Sequence, residues 1–263
     1  MTGDVRPVAW ITGAGSGLGR AVALRLVAEG YAIAATARSE ADLDALAAEP
    51  AAQGAIHAYA GDVTDRPAMA AIAERVESEV GPIGLVFLSA GIYLPFPIEQ
   101  FSAERTMETM RVNVGGVCNV LEAVLPRFLA RGRGHVAVVS SLAQYRGLCR
   151  TTAYGASKAA LLAMCETLRL QGEPKGIKVQ MVVPGYIQTR MTAKAPFPLP
   201  HIMTAEAAAE EAVRGLKTER FEITMPWHFV LKFKLARLLP AAIYFWYARR
   251  TPDFGGVRPA TRG

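Results

Sequence analysis

Short apolar runs alternate with longer helical patterns along most of the chain, and this alternation constrains the fold more than any other feature. The runs lie at 8–12, 32–36, 55–60, 84–89, 135–140, 178–183 and 221–224. Helical stretches fill the intervals at 18–29, 40–48, 66–79, 103–130, 152–171 and 204–217. Runs such as Val136 to Val139 and Val179 to Val183 are apolar at nearly every position, which suits parallel strands covered on both faces. Right-handed crossovers then build an α/β, doubly wound parallel sheet of about seven strands with helices on both faces. The 263 residues suffice for one such domain, and no repeat, low-complexity tract or linker divides them. A hydrophobic fraction of 51% against 20% charged residues argues for a globular chain.

The first strand-to-helix step carries a chemical signature. Residues 8–19 read VAWITGAGSGLG: an apolar run, a turn with Gly13, Gly17 and Gly19, and a helical pattern opening at Leu18. Glycines let backbone turn tightly against a phosphate, and a helix N-terminus offers free N–H groups to the anion. In this context the turn reads as a dinucleotide site, with Ser16 and Leu18 inside it as further contacts. A second signature follows near position 150. Tyr154 and Lys158 stand four residues apart in AYGASKAA, so a helix brings an ammonium beside a phenol. Tyrosine, with a pKa near ~10, is a poor base at neutral pH, and a neighbouring cation favours the phenolate. Ser141 lies thirteen residues before Tyr154, at the end of HVAVVSS, where its hydroxyl can bind a carbonyl oxygen. That interval and strand alternation favour Ser141 over Ser140.

With Asp62 in GDVTD, Ala90-Gly91, Asn113 in RVNVGG, and Pro184-Gly185 with Thr189 in VVPGYIQT, these motifs resemble the short-chain dehydrogenase/reductase family from about Val8 to Thr189. The resemblance implies a Rossmann-type fold, a nicotinamide-dependent oxidoreductase, and a homodimer or homotetramer. It implies Asn113, Ser141, Tyr154 and Lys158 as the catalytic set. Tyr154 would exchange a proton with the substrate oxygen, Ser141 would hold that oxygen, and Lys158 would lower the phenol's pKa and hold the nicotinamide ribose. Asn113 would bend the long helix around a water and join Lys158 to a proton relay. Asp62 would bind the adenine amino group, and backbone at Ile187 with the Thr189 hydroxyl would anchor the carboxamide. Val63, Ala90, Gly91, Pro184 and Gly185 complete the implied cofactor contacts, beside Tyr154 and Lys158. Leu88-Ser89 stands where the family commonly has Asn-Asn, and Ser89 can replace only part of that hydrogen bonding.

Cofactor choice follows from charge. An acidic residue about ~20 positions after the glycines would bind ribose hydroxyls, whereas an arginine there suits a 2′-phosphate. Here the second strand is followed by Ala37-Arg38-Ser39, with no carboxylate at its end. Arg38 favours NADP(H), while Ser16, in place of a further base, keeps NAD(H) open. Tyr93, Leu94, Phe96, Leu142, Tyr145, Leu148, Tyr186 and the 190–203 loop are the expected pocket lining, and they suit a small hydrophobic substrate. Within the expected substrate loop, about 190–217, the stretch AKAPFPLPHI at 193–202 breaks both periodicities and reads as mobile. Cys118, Cys149 and Cys165 are odd in number and lack C-x-x-C spacing. They read as reduced thiols of a cytoplasmic protein, with neither disulfide nor metal site. The N-terminal residues lack the pattern of a signal peptide, and no run reaches ~18 uninterrupted apolar residues.

Residues 1–226 read as the catalytic domain and 227–263 as an extension. Seven of the 29 Lys and Arg but one of the 23 Asp and Glu lie in 227–263, so the net charge of +6 sits in the tail. The segment WHFVLKFKLARLLPAAIYFWYARR, 227–250, mixes aromatics with five bases and no acid. That mixture suits the headgroup region of a membrane. Its bases do not fall on one helical face, and packing over the substrate pocket or a partner subunit is an equal reading. Nucleic-acid binding finds no support elsewhere in the chain. Two functional classes stand open: an oxidoreductase, and a catalytically idle NADP(H)-binding sensor or membrane-associated scaffold. The full set Asn113, Ser141, Tyr154 and Lys158 favours the first.

Overall fold

The computed structural model describes residues 6–52, 54–193 and 199–251. The strands are β1 (Val8–Thr12), β2 (Ala32–Ala37), β3 (Ile56–Ala60), β4 (Ile83–Leu88), β5 (Gly134–Val139), β6 (Ile177–Pro184) and β7 (Glu222–Met225). All pair in parallel, in the order β3-β2-β1-β4-β5-β6-β7. Every strand boundary falls within one residue of an apolar run in the sequence. The physical reason is that both faces are covered: all five residues of β1 are buried, as are seven of the eight in β6.

Two helical layers provide the cover. On one face lie α1 (Gly17–Ala28), α2 (Glu40–Ala47) and α7 (Ala205–Leu216), whose Val22, Leu43 and Ala212 share a core with β1 and β2. The region 190–217, expected as a substrate loop, thus contributes a core helix packed on α1. Residues 194–198 of the proline-rich stretch lie outside the described residues. The other face carries α3 (Arg66–Glu79), α4 (Ala103–Met110), α5 (Gly116–Arg131) and α6 (Thr152–Gly172). The long helical stretch foreseen at 103–130 is broken by a π-turn at Arg111–Gly115. Residues 103–131 form the one helical stretch, among those described, long and apolar enough to cross a membrane. Half of its most apolar window is nevertheless buried, and α5 packs on α3 as a core helix.

The tail forms two helices that sequence periodicity does not announce, α8 (Trp227–Ala236) and α9 (Ala241–Ala248), each opened by a proline. Phe229, Val230, Phe233 and Ala236 of α8, with Tyr244 of α9, join the core on the α6 face. Burying a Phe or Val side chain stabilises by roughly 1.5–3 kcal/mol, and net domain stability is only about 5–15 kcal/mol. Removing α8 therefore costs a large share of the fold.

Between β1 and its neighbours β2 and β4 the strand order reverses, which opens a crevice at the carboxyl ends of the strands. Ser89 ties that junction: its hydroxyl donates to the Thr12 carbonyl at 2.9 Å, and the Ala90 N–H reaches the Thr12 hydroxyl at 3.4 Å.

Candidate active site

The glycine turn lies in that crevice. Gly13 has φ +69°, and a Cβ there would stand 2.8 Å from the Ala90 nitrogen. Gly17 has φ +56° and opens α1, and a Cβ there would meet the Thr189 methyl at 2.9 Å. A Cβ on Gly19 would strike the Gly13 carbonyl. Ser16 caps α1 in extended conformation and makes no side-chain bond to the first turn, so its hydroxyl leaves the N–H groups of that turn uncapped. A backbone cradle that side chains would fill, with helix donors facing outward, suits a pyrophosphate. Ala90, Gly91 and Thr189 close around it, and a Cβ on Gly91 would come within 3.9 Å of Lys158 Nζ.

Arg38 is exposed just beyond β2. Asp62 accepts bonds from the Thr64 N–H and hydroxyl at 2.8 and 2.9 Å, in a turn ahead of α3 whose N-cap is Asp65. Burial raises its pKa, but those bonds and the charges of Arg38 and Arg111 outweigh burial and leave it below the usual carboxylate value. Val63 is buried, and its carbonyl accepts from Asn119 at 2.8 Å. Asp42 stands against Gly15. Arg190 grips its carboxylate with two bonds of 2.9 and 3.0 Å, which holds the Asp42 pKa down.

Pro184 ends β6 and Gly185 follows it, with the Gly185 N–H bonded to the Met225 carbonyl at 2.7 Å. The Ile187 carbonyl accepts from the Thr192 hydroxyl at 2.5 Å, and the Thr189 N–H donates to that same hydroxyl at 3.0 Å. Segment 187–192 is thereby a self-bonded turn at the mouth of the crevice.

Strand β5 and helix α6 deliver the polar centre. The Ser141 hydroxyl accepts from the Ala143 N–H at 3.3 Å and pulls down the pKa of the Tyr154 phenol, whereas the Ser140 hydroxyl turns to the Lys158 carbonyl at 3.4 Å. Lys158 is 5% exposed, donates to the Val139 carbonyl at 2.9 Å, and stands 5.5 Å from the centre of the Tyr154 ring. The expectation that Lys158 depresses the phenol is not met. Burial drives the Tyr154 pKa to about 12 against the pull of Ser141, with Tyr93 adding to the rise. Burial likewise brings Lys158 down to about 8. Desolvation outweighs the cation because the ammonium lies over the ring and bonds to backbone.

Asn113 occupies the π-turn, fully buried. Its side chain accepts from the Ile92 N–H at 2.8 Å and donates to the Ile92 carbonyl and the Ser157 hydroxyl at 3.1 and 3.0 Å. Ser157 passes the link on, donating to the Tyr154 carbonyl at 2.7 Å. Sequence reasoning missed Ser157, although it sits three residues after Tyr154 in the same motif. Tyr93 meets Tyr154 edge-on at 5.1 Å. Of the expected pocket lining, Phe96, Leu142 and Tyr145 are buried, and Leu142 and Tyr145 belong to the core beneath the tail, because residues 142–144 form a 3-10 turn that packs them inward. Among the described residues, no group of three or more His, Cys, Asp or Glu could hold a metal ion.

The tail packs beside this centre, in line with one of the two readings its sequence left open. Arg146 donates to the Ala236 and Arg237 carbonyls at 3.1 and 3.2 Å, and to that of Leu239, closing the C-terminus of α8. Tyr244 donates to the Gly147 carbonyl at 2.6 Å and lies under the Arg146 guanidinium at 4.8 Å. Glu222 receives the Tyr145 hydroxyl at 2.8 Å and is paired with Lys234. Phe229 packs on Gly185.

A family model described as short chain dehydrogenase matches residues 7–197. An uncharacterized oxidoreductase of Myxococcus xanthus is 35% identical over 243 residues, covering 92% of this chain and 96% of that protein. A 3-oxoacyl-(acyl-carrier-protein) reductase of Thermotoga maritima is 33% identical over 215 residues, 81% of this chain and 84% of the relative. The solved structure of a short-chain dehydrogenase from Sphingobium yanoikuyae in complex with NADPH superposes with a TM-score of 0.77 at 26% identity, over 98% of both chains. With an NAD(P)-binding Rossmann fold and this match over most of its length, the chain belongs to the short-chain dehydrogenase family of oxidoreductases.

Proposed function

We propose that this oxidoreductase interconverts a carbonyl and a secondary alcohol, with NADP(H) as cofactor and a hydrophobic small molecule as substrate. The observation that carries the reading is Lys158 buried 5.5 Å from the centre of the Tyr154 ring, with Ser141 acting on the phenol and the glycine cradle close by. NADP(H) supplies or accepts the hydride. Ser141 holds the substrate oxygen, as a fixed donor aimed at developing charge should. Tyr154 moves the proton to or from that oxygen. A phenol raised to about 12 is protonated at neutral pH and can donate to the oxygen in the reductive direction. Lys158, at about 8, carries its charge at neutral pH and is placed to hold the nicotinamide ribose. Asn113 and Ser157 hold the Tyr154 turn in place rather than touching the reacting atoms.

Arg38 supports the NADP(H) assignment, because an exposed guanidinium beyond β2 suits a 2′-phosphate. The Asp42 carboxylate near the turn is already matched by Arg190, so it presents less repulsion to that phosphate. The relative solved with NADPH agrees with this choice. Leu94, Met191 and Ile202, each 37–43% exposed in the flanking segments, support an apolar substrate. The odd, unpaired cysteines fit work in a reducing compartment, and the family resemblance supports a homodimer or homotetramer. The complete polar centre weighs against an idle NADP(H) sensor.

The test is a screen of NADPH oxidation and NADP+ reduction against carbonyl and alcohol panels. Turnover with apolar ketones is expected. Tight NADPH binding with no turnover on either panel would favour the idle binder.

A further inference from the structure

We propose that the outer face of α8 and α9 is a docking surface for an anionic lipid membrane. Helix α8 is apolar on two sides. One side, with Phe229, Val230 and Phe233, is spent on the core. The other presents Trp227, Leu231 and Leu235, continued by Leu238 in the turn after the helix, which recur at helical spacing along one stripe and are 41–78% exposed. Helix α9 reads AAIYFWYA and buries Tyr244 alone, leaving Ile243, Phe245 and Trp246 51–58% exposed. Contiguous apolar surface of this kind on a folded chain marks a contact with something else.

Charge decides what covers it. Arg237, Arg249 and Arg250 are exposed beside the stripe, with Arg250 lying over the Trp246 ring at 4.6 Å, and 227–250 contains no acid. A second copy would meet this face across a two-fold axis and bring like charges together. A protein partner would have to supply matched acids in register, and no acid on this segment helps to fix one. An acidic bilayer supplies both halves at once: hydrocarbon for the aromatic and leucine side chains, and diffuse negative charge for the arginines. A groove of about 410 Å³ opens beside the stripe, lined by Phe221, Trp227, Val230 and Leu231 with Arg220, Thr224 and the Glu222–Lys234 ion pair at its polar side. The helices hold 10 and 8 residues and are separated by Pro240, too short to span a bilayer that needs about 20, so they lie on the surface. Because Arg146 and Tyr244 bind the inner side of the same helices to the loop after Ser141, docking would set the catalytic crevice beside the lipid.

The experiment is co-sedimentation of the full chain with vesicles of equal parts phosphatidylserine and phosphatidylcholine, against phosphatidylcholine alone, with a vesicle-free spin as control. At least about tenfold more protein should pellet with the acidic vesicles, and the excess should shrink as salt rises from about 50 to about 500 mM. Tryptophan emission should shift to the blue on binding, since Trp227 and Trp246 leave water. Joint replacement of Ile243, Phe245 and Trp246 by Ser should release the protein with its melting temperature and NADPH affinity kept. The exposed pair Arg249→Glu and Arg250→Glu should do the same where the apolar variant fails to fold. Equal, negligible pelleting with both vesicles would overturn the proposal. So would a dimer in light scattering that the serine variant dissociates, because the face would then belong to a second copy.

Discussion

The catalytic end of the sheet and the α8–α9 tail are built on different principles. Around Tyr154 the polar groups are bonded to one another: Asn113 to Ile92 and Ser157, Ser157 to Tyr154, Lys158 to Val139. Among the described residues, one buried side-chain polar atom, Oε1 of Gln144, lacks a partner. In the tail the inner side is gripped by the loop between Ser141 and Tyr154, while the outer side exposes aromatic and leucine surface. Chemistry fixes residue types in the first region, because a proton donor and a phosphate cradle tolerate few substitutes. Packing and charge shape the second, where many sequences would serve.

Substitutions can separate the two regions. The largest effect is expected from Tyr154→Phe, which should lower turnover roughly 10²–10⁴-fold while NADPH binding and the melting temperature stay close to those of the unaltered protein. Retained turnover on an authentic substrate would remove Tyr154 as the proton donor. Arg38→Asp should change the ratio of NADPH to NADH affinity by at least about tenfold towards NADH, since a carboxylate repels the 2′-phosphate and accepts from ribose hydroxyls. Paired fluorescence titrations read this directly, and an unchanged ratio would place the phosphate elsewhere.

A smaller effect should arise where the regions meet. Arg146→Ala removes charge-assisted bonds to three carbonyls at the end of α8, at a cost of roughly 1–3 kcal/mol. Melting should fall by several degrees and turnover by a few-fold, because the loop after Ser141 loses its backing. A variant that loses stability but keeps full turnover would show that the tail does not position the catalytic loop.

The smallest effect concerns pH. Lys158 titrates near 8 in the fold against an ordinary 10.5. Between these values the unfolded chain holds a proton that the fold has lost, so this group's contribution to stability rises with pH. Above about 10 the raised Tyr154 phenol acts in the opposite sense. From pH 8 to 10 the stability of the unaltered protein relative to Lys158→Met should rise by roughly 2 kcal/mol. Urea unfolding across that range checks it, and parallel curves for the two proteins would contradict the burial of the amine.

Legibility in the sequence follows the same division. Strand positions could be read because double-sided burial writes a continuous apolar run, as in β5 and β6. Gly13, Gly17, Ser141, Tyr154 and Lys158 could be located because turn geometry and helix spacing translate directly into position. The π-turn at 111–115 could not be bounded from periodicity, since inserting one extra residue per turn leaves composition unchanged. The inward packing of Leu142 and Tyr145 depends on α8, which announces itself poorly: apolar residues on both sides erase the amphipathic signal. The elevated phenol also escaped, because four-residue spacing states proximity and says nothing about desolvation.

The proposed chemistry is hydride transfer between NADPH and a carbonyl carbon, with Tyr154 moving the proton. The most direct measurement uses NADPH deuterated at the transferable position of the nicotinamide, a panel of apolar ketones, and mass spectrometry of the products. One deuterium should appear on the carbinol carbon of a product alcohol, in step with NADPH consumed, and Tyr154→Phe should suppress it. Bound NADPH with no label passing to any carbonyl, or label passing equally well in Tyr154→Phe, would contradict the account.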